Sequence, residues 1–194
     1  MEASYGRVFL KITSQFLPPS ISAAPMRKWI THEMMFDKIV PFVVADDEII
    51  LRSVDSRHFY RDGRKRPNIF KPPFGKAEVS VMRFQYMPIE ECKMRGKEVV
   101  FGIKHEFKGF AALKCATIRE AKAEVQDSRK IYLCHADIIY SNPRPPEAQP
   151  NRAPENPQAL MEFEEVARQL VDACKTFLDP APAGKDWQGE KITL

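Results

Sequence analysis

Six prolines, at positions 143, 145, 146, 150, 154 and 157, crowd residues 141–157, and almost no apolar side chain lies between them. Each proline fixes φ and removes an amide donor, so the stretch can continue neither a helix nor an interior strand. Without apolar side chains it cannot bury a core and reads as an extended linker. The strand-like patterns lie before it, and one further element, a helix, follows it.

That last element is amphipathic. Asn156 is an N-cap candidate and Pro157 suits the first helical turn. Leu160, Phe163, Val166, Ala167, Leu170, Val171, Cys174 and Phe177 then recur at spacings of three and four, up to Asp179-Pro180. This stripe predicts a C-terminal helix docked on a sheet, with partner binding at the end of a tether as the sharper alternative. A mobile tail is expected over 180–194, except around Trp187.

Ahead of the linker the pattern is mostly extended. Residues 39–44 read as an edge strand because Pro41 interrupts them, and 48–54 as a second strand paired with it in a hairpin. Residues 78–86 alternate, with Val79 and Val81 against Glu78 and Ser80. Strands are also predicted at 97–104, early in 110–125, and at 131–140. Residues 88–94 read as one or two helical turns that Gly96 ends. A short helix over 26–36 would bury Trp29, Ile30 and Met34, with 1–25 as an extension ahead of it. The fold class expected is α+β: one domain over 26–179, a mostly antiparallel sheet, a short N-terminal helix and the C-terminal amphipathic helix.

Charge is concentrated. Residues 52–76 hold eight cations, five of them Arg, against Asp55 and Asp62, which gives +6. The whole chain carries +4, so the remainder carries −2. Aromatic residues (His58, Phe59, Tyr60, Phe70 and Phe74) interleave with the cations. Cations that grip phosphate beside rings that stack on bases are a recurring chemistry of single-strand recognition. The binding candidates are Arg57, His58, Tyr60, Arg61, Arg64, Lys65, Arg66 and Lys71. The bland alternative is a solvated basic loop whose aromatics anchor it.

The function expected is that of a non-catalytic accessory or adaptor protein. It would hold an acidic protein partner or nucleic acid through this loop. The alternative is a small hydrolase or transferase centred on His105 and His135, with Cys134 as nucleophile. Convergence of the two histidines requires their strands to be neighbours, and Cys134 and His135 would point to opposite faces of a regular strand. Phosphate loops, dinucleotide fingerprints, nucleophile elbows and H-E-x-x-H are all absent. No cofactor or metal is expected. Cys92, Cys115, Cys134 and Cys174 match no zinc spacing and are expected to be reduced thiols in a cytoplasmic protein. No stretch approaches the roughly 20 apolar residues that cross a bilayer.

Overall fold

The computed structural model describes residues 40–74, 76–101, 105–129, 132–140 and 157–194. Its strands are β1 (Ile49–Asp55), β2 (Glu78–Arg83), β3 (Phe107–Lys114), β4 (Glu124–Asp127), β5 (His135–Ile139) and β6 (Lys175–Leu178). They form one open sheet in the order β4-β5-β2-β1-β3-β6, every pairing antiparallel. Three α-helices accompany it among the described residues: α1 (Ile89–Phe101), α2 (Cys115–Glu120) and α3 (Pro157–Ala173). The α+β class and the antiparallel sheet agree with the sequence. The predicted N-terminal helix, the segment ahead of it and residues 141–156 lie outside the described residues. Among those residues, no helix is long and apolar enough to cross a membrane.

Alternation along the strands builds two cores. Ile50, Val54, Val79, Val81, Ala136 and Ile138 face one side, where Phe163, Ala167, Leu170 and Val171 of α3 cover them. Leu51, Met82, Phe110 and Ala112 face the other, against Cys92 and Val100 of α1. Burial on both faces explains why β5 is buried at every position.

Of the stripe predicted for the C-terminal helix, α3 buries Phe163, Ala167, Leu170 and Val171, while Leu160 is exposed and the helix stops at Ala173. Residues 175–178 cross to the sheet edge as β6, and Phe177 pairs with Phe110. A lone Phe three residues after Cys174 fits helical spacing, yet Phe177 is buried in the core on the α1 side of the sheet, the face opposite the one that α3 covers. Gly109 sits at φ 145, where a Cβ would lie 2.1 Å from the Phe177 carbonyl oxygen, so this edge pairing requires glycine.

Two further expectations are corrected. The strand predicted from residue 97 is the second half of α1, which runs through Gly96 to Phe101. A Cβ on Gly96 would stand 2.8 Å from both the Phe107 ring and Ser53 Oγ. Gly96 is thus a point of close approach of α1 to β1 and β3, not a stop. The hairpin predicted from 39–44 does not form; β1 pairs with β2 and β3 instead. Arginine side chains hold residues 40–44: Arg83 donates to Pro41 O, Arg129 to Val40 O and Pro41 O, and Arg119 to Val44 O. Arg83 itself is buried between Glu48 (2.7 Å) and Asp127 (2.8 Å).

The residues expected to form a tail make specific contacts with α1 and the sheet. Lys93, fully buried, donates to Ala181 O at 2.9 Å and Asp186 O at 2.6 Å, and pairs with Asp179 at 2.7 Å. Trp187 lies 5.5 Å from the Phe110 ring, and Ile192 is buried.

Candidate functional site

The basic segment connects β1 to β2, and it is built rather than loose. Asp55 closes β1 and caps a 3₁₀ turn over Ser56–His58: its carboxylate accepts the Arg57 amide at 2.8 Å. His58 Nδ1 accepts the Asp55 amide at 2.9 Å, which completes a capping box. Tyr60 N then donates to Arg64 O and Arg66 N to His58 O, a small hairpin with Gly63 at φ 83 in its turn. A second 3₁₀ turn, Pro67–Ile69, places Ile69 and Phe70 in the core beneath α3. The segment expected as an irregular loop is therefore hydrogen-bonded within itself and plugged into the sheet.

This scaffold sorts the cations. Lys65 is used internally, its Nζ donating to Cys174 O at 2.7 Å, and Lys71 pairs with Glu164 of α3. Arg57 pairs with Asp55 and Arg64 with Asp62, both at 2.7 Å. These short links fix where the guanidinium groups stand. Arg61 is exposed and makes no ion pair among the described residues. Tyr60, 43% exposed, carries Arg66 at 4.6 Å and Arg64 at 5.3 Å from its ring centroid. One open ring with two guanidinium groups on it, next to a free cation, forms the outer face of the hairpin.

Two groups of this region, Arg52 of β1 and His58 of the first 3₁₀ turn, have their ionisation altered by burial. Arg52 donates from Nε to Ile69 O (3.3 Å) and from NH1 to Ser80 O (2.8 Å). Burial lowers its pKa, opposed by the nearby Asp55. Burial likewise drives His58 down to about 4, only partly offset by Asp55. His58 is thus neutral at pH 7, and because Nδ1 accepts, its proton sits on Nε2. Burial pushes the Asp55 carboxyl up, but hydrogen bonds from the Arg57 side chain and backbone outweigh it and hold the pKa below the ordinary value.

The structure does not bring His105 and His135 together. β2 and β1 stand between their strands, a separation of three interstrand steps, roughly 14 Å. His105 is exposed just before β3. His135 is buried, with Nδ1 2.6 Å from Ser128 Oγ, its ring edge-on to Tyr132, and Nε2 3.9 Å from Asp137. Burial lowers its pKa. Cys134 is buried with its Sγ directed at Tyr86 O, 3.3 Å away. All four cysteines are free and buried, and burial raises the Cys115 thiol to about 12. Among the described residues no cluster of three or more His, Cys, Asp or Glu could hold a metal.

Sequence reasoning set Arg52 on a strand without counting it among the binding candidates, and it missed Lys93. Arg52 had a readable signal: a cation between Ile50 and Val54, on the inward face of an apolar strand. Lys93 had none, because its partners are backbone carbonyls far along the chain.

No family model, curated protein or solved structure matches this chain.

Proposed function

We propose that this protein binds single-stranded nucleic acid through the outer face of the small hairpin between β1 and β2, with Tyr60 as the stacking platform and Arg61, Arg64 and Arg66 as phosphate contacts. The observation that carries the reading is the Tyr60 ring, open to solvent and flanked by two guanidinium groups. A base stacked on such a ring gains about 1–3 kcal/mol, whatever its identity. Arginine offers phosphate a planar fork of donors, and the Asp62 contact orients the Arg64 fork before a ligand arrives. An acidic protein partner would use the same charges but gain little from the ring.

That difference supplies the test. Fluorescence anisotropy should show binding of a labelled single-stranded oligonucleotide. Tyr60→Ala should weaken it by about 1–3 kcal/mol while hardly changing the affinity for an acidic peptide of equal charge. A peptide bound as tightly as the oligonucleotide, with Tyr60→Ala affecting neither, would move the reading to an acidic protein partner.

A further inference from the structure

Strand alternation turns Lys65 away from its two neighbours. Its backbone pairs with Phe59 across the small hairpin, while Arg64 and Arg66 on either side lie over the Tyr60 ring. The Lys65 side chain crosses instead to the junction of α3 and β6. There its Nζ donates to the Cys174 carbonyl at 2.7 Å and lies 3.6 Å from the Cys174 sulfur. Among the described residues no carboxylate pairs with this amine. The side chain is thus fixed at both ends, by the hairpin at its backbone and by a single residue, Cys174, at its tip.

Cys174 is the cysteine best placed to react. Cys92, Cys115 and Cys134 are 0% exposed and Cys174 is 4% exposed. The thiols of Cys92 and Cys134 are directed at the carbonyl oxygens of Met87 and Tyr86. The Cys174 thiol donates to Val171 O at 3.2 Å, which leaves its sulfur lone pairs to accept from the Lys65 ammonium. Burial raises the Cys174 pKa, and the Lys65 ammonium opposes that rise. A cation at the sulfur favours the thiolate, the form that oxidants attack. Lys65 is half-buried, which puts the pair at the margin of the core.

We infer that Lys65 and Cys174 form a redox-modification site, where hydrogen peroxide drives a sulfenamide crosslink between the basic hairpin and the end of α3. In the first step the thiolate sulfur attacks peroxide and the O–O bond breaks. Sulfur gives up two electrons, and the products are the Cys174 sulfenic acid and water. In the second step the neutral Lys65 amine, its extra proton lost to solvent, attacks that sulfur. An N–S bond forms, the S–O bond breaks, and the hydroxyl leaves as water with a proton from the nitrogen. This condensation involves no further oxidation. The amine already stands at 3.6 Å on a flexible stem, so the condensation runs ahead of a second oxidation to sulfinic acid. Two equivalents of an added thiol reverse it, restoring the amine and Cys174 and leaving as their own disulfide. The crosslink does not depend on what the outer face of the hairpin binds.

The test is a peptide map of the full chain by mass spectrometry after hydrogen peroxide treatment, with and without a later dithiothreitol step. The expected result is a linked pair of peptides carrying Lys65 and Cys174, lighter by two hydrogens than their sum, which dithiothreitol separates. A link between residues 109 apart should also raise the urea midpoint of the treated protein until dithiothreitol is added. Cys174→Ser should show neither the linked pair nor the rise. Lys65→Arg keeps a cation beside the sulfur but offers no amine to condense. Dimedone should therefore label its Cys174 sulfenic acid severalfold more than that of the wild type. A wild type whose Cys174 stays a thiol or goes on to sulfinic acid, with no linked pair, overturns the site. So does a linked pair that survives Cys174→Ser, or a folded Lys65→Arg that dimedone labels no more than the wild type. If circular dichroism shows Lys65→Arg unfolded, the wild-type map and Cys174→Ser decide.

Discussion

His58 shows how one buried side chain couples the basic segment to pH. Its folded pKa is near 4, against about 6.5 in an unfolded chain, so protonation favours unfolding. The stability tied to neutral His58 is complete above about pH 6.5 and drains away as pH falls towards 4, by at most about 1.4 kcal/mol per unit. His135 shifts in the same direction, and Asp55, also depressed, adds a loss at lower pH still. Wild type should therefore lose about 1–2 kcal/mol more than His58→Asn between pH 7 and pH 5, measured by urea unfolding. The difference isolates His58 because His135 is common to both. Equal losses would mean that His58 is not held neutral in the folded state.

At the scale of elements, α1 is seated by two residues of unlike kind. Gly96 lets it approach β1 and β3, and Lys93 ties it to residues 179–186. Gly96→Ala should gain about 1 kcal/mol of helix propensity and lose about 1–3 kcal/mol to overpacking against Phe107 and Ser53. The clash wins, and thermal unfolding should show a net loss; a stabilised variant would mean that α1 does not sit this close. Asp179→Asn leaves the buried Lys93 ammonium without its counter-charge and should cost about 3–5 kcal/mol, read as a fall in the urea midpoint at unchanged slope. The same elements show what was legible in the chain. The stripe from Phe163 to Val171 was readable because helical burial repeats every three or four residues, and Val79/Val81 because strand burial repeats every two. The run Val99-Val100-Phe101 misled, since β-branched and aromatic residues favour a strand until a sheet on one side asks for a helix. β6 was hidden because its pairing depends on the edge of β3, which lies far away in sequence.

For the whole molecule, the asymmetry of charge matters more than its total. Six net positive charges sit in residues 52–76 and the remainder is −2, so the positive charge is concentrated in the segment that ends β1 and leads to β2. The sheet anchors that segment through Ile69 and Phe70, and α3 covers them. The sequence made the presence of this basic, aromatic segment plain and left its form unreadable. The internal use of Lys65, the pairing of Lys71 with α3 and the bond from Arg52 to the Ser80 carbonyl all depend on which elements become neighbours. His105 and His135 illustrate the same limit: their separation is set by strand order, which no local pattern encodes.

The measurement that bears most directly on the proposed role is the salt dependence of binding to a single-stranded oligonucleotide, compared between wild type and Arg61→Glu/Arg64→Glu. If three arginines of the outer face neutralise phosphates, log K should fall with log salt at a slope of about −2, and the double variant should flatten it to below about −1 while circular dichroism stays unchanged. A wild type that binds with no salt dependence, or a folded double variant that keeps both affinity and slope, would contradict the assignment of this face to nucleic acid.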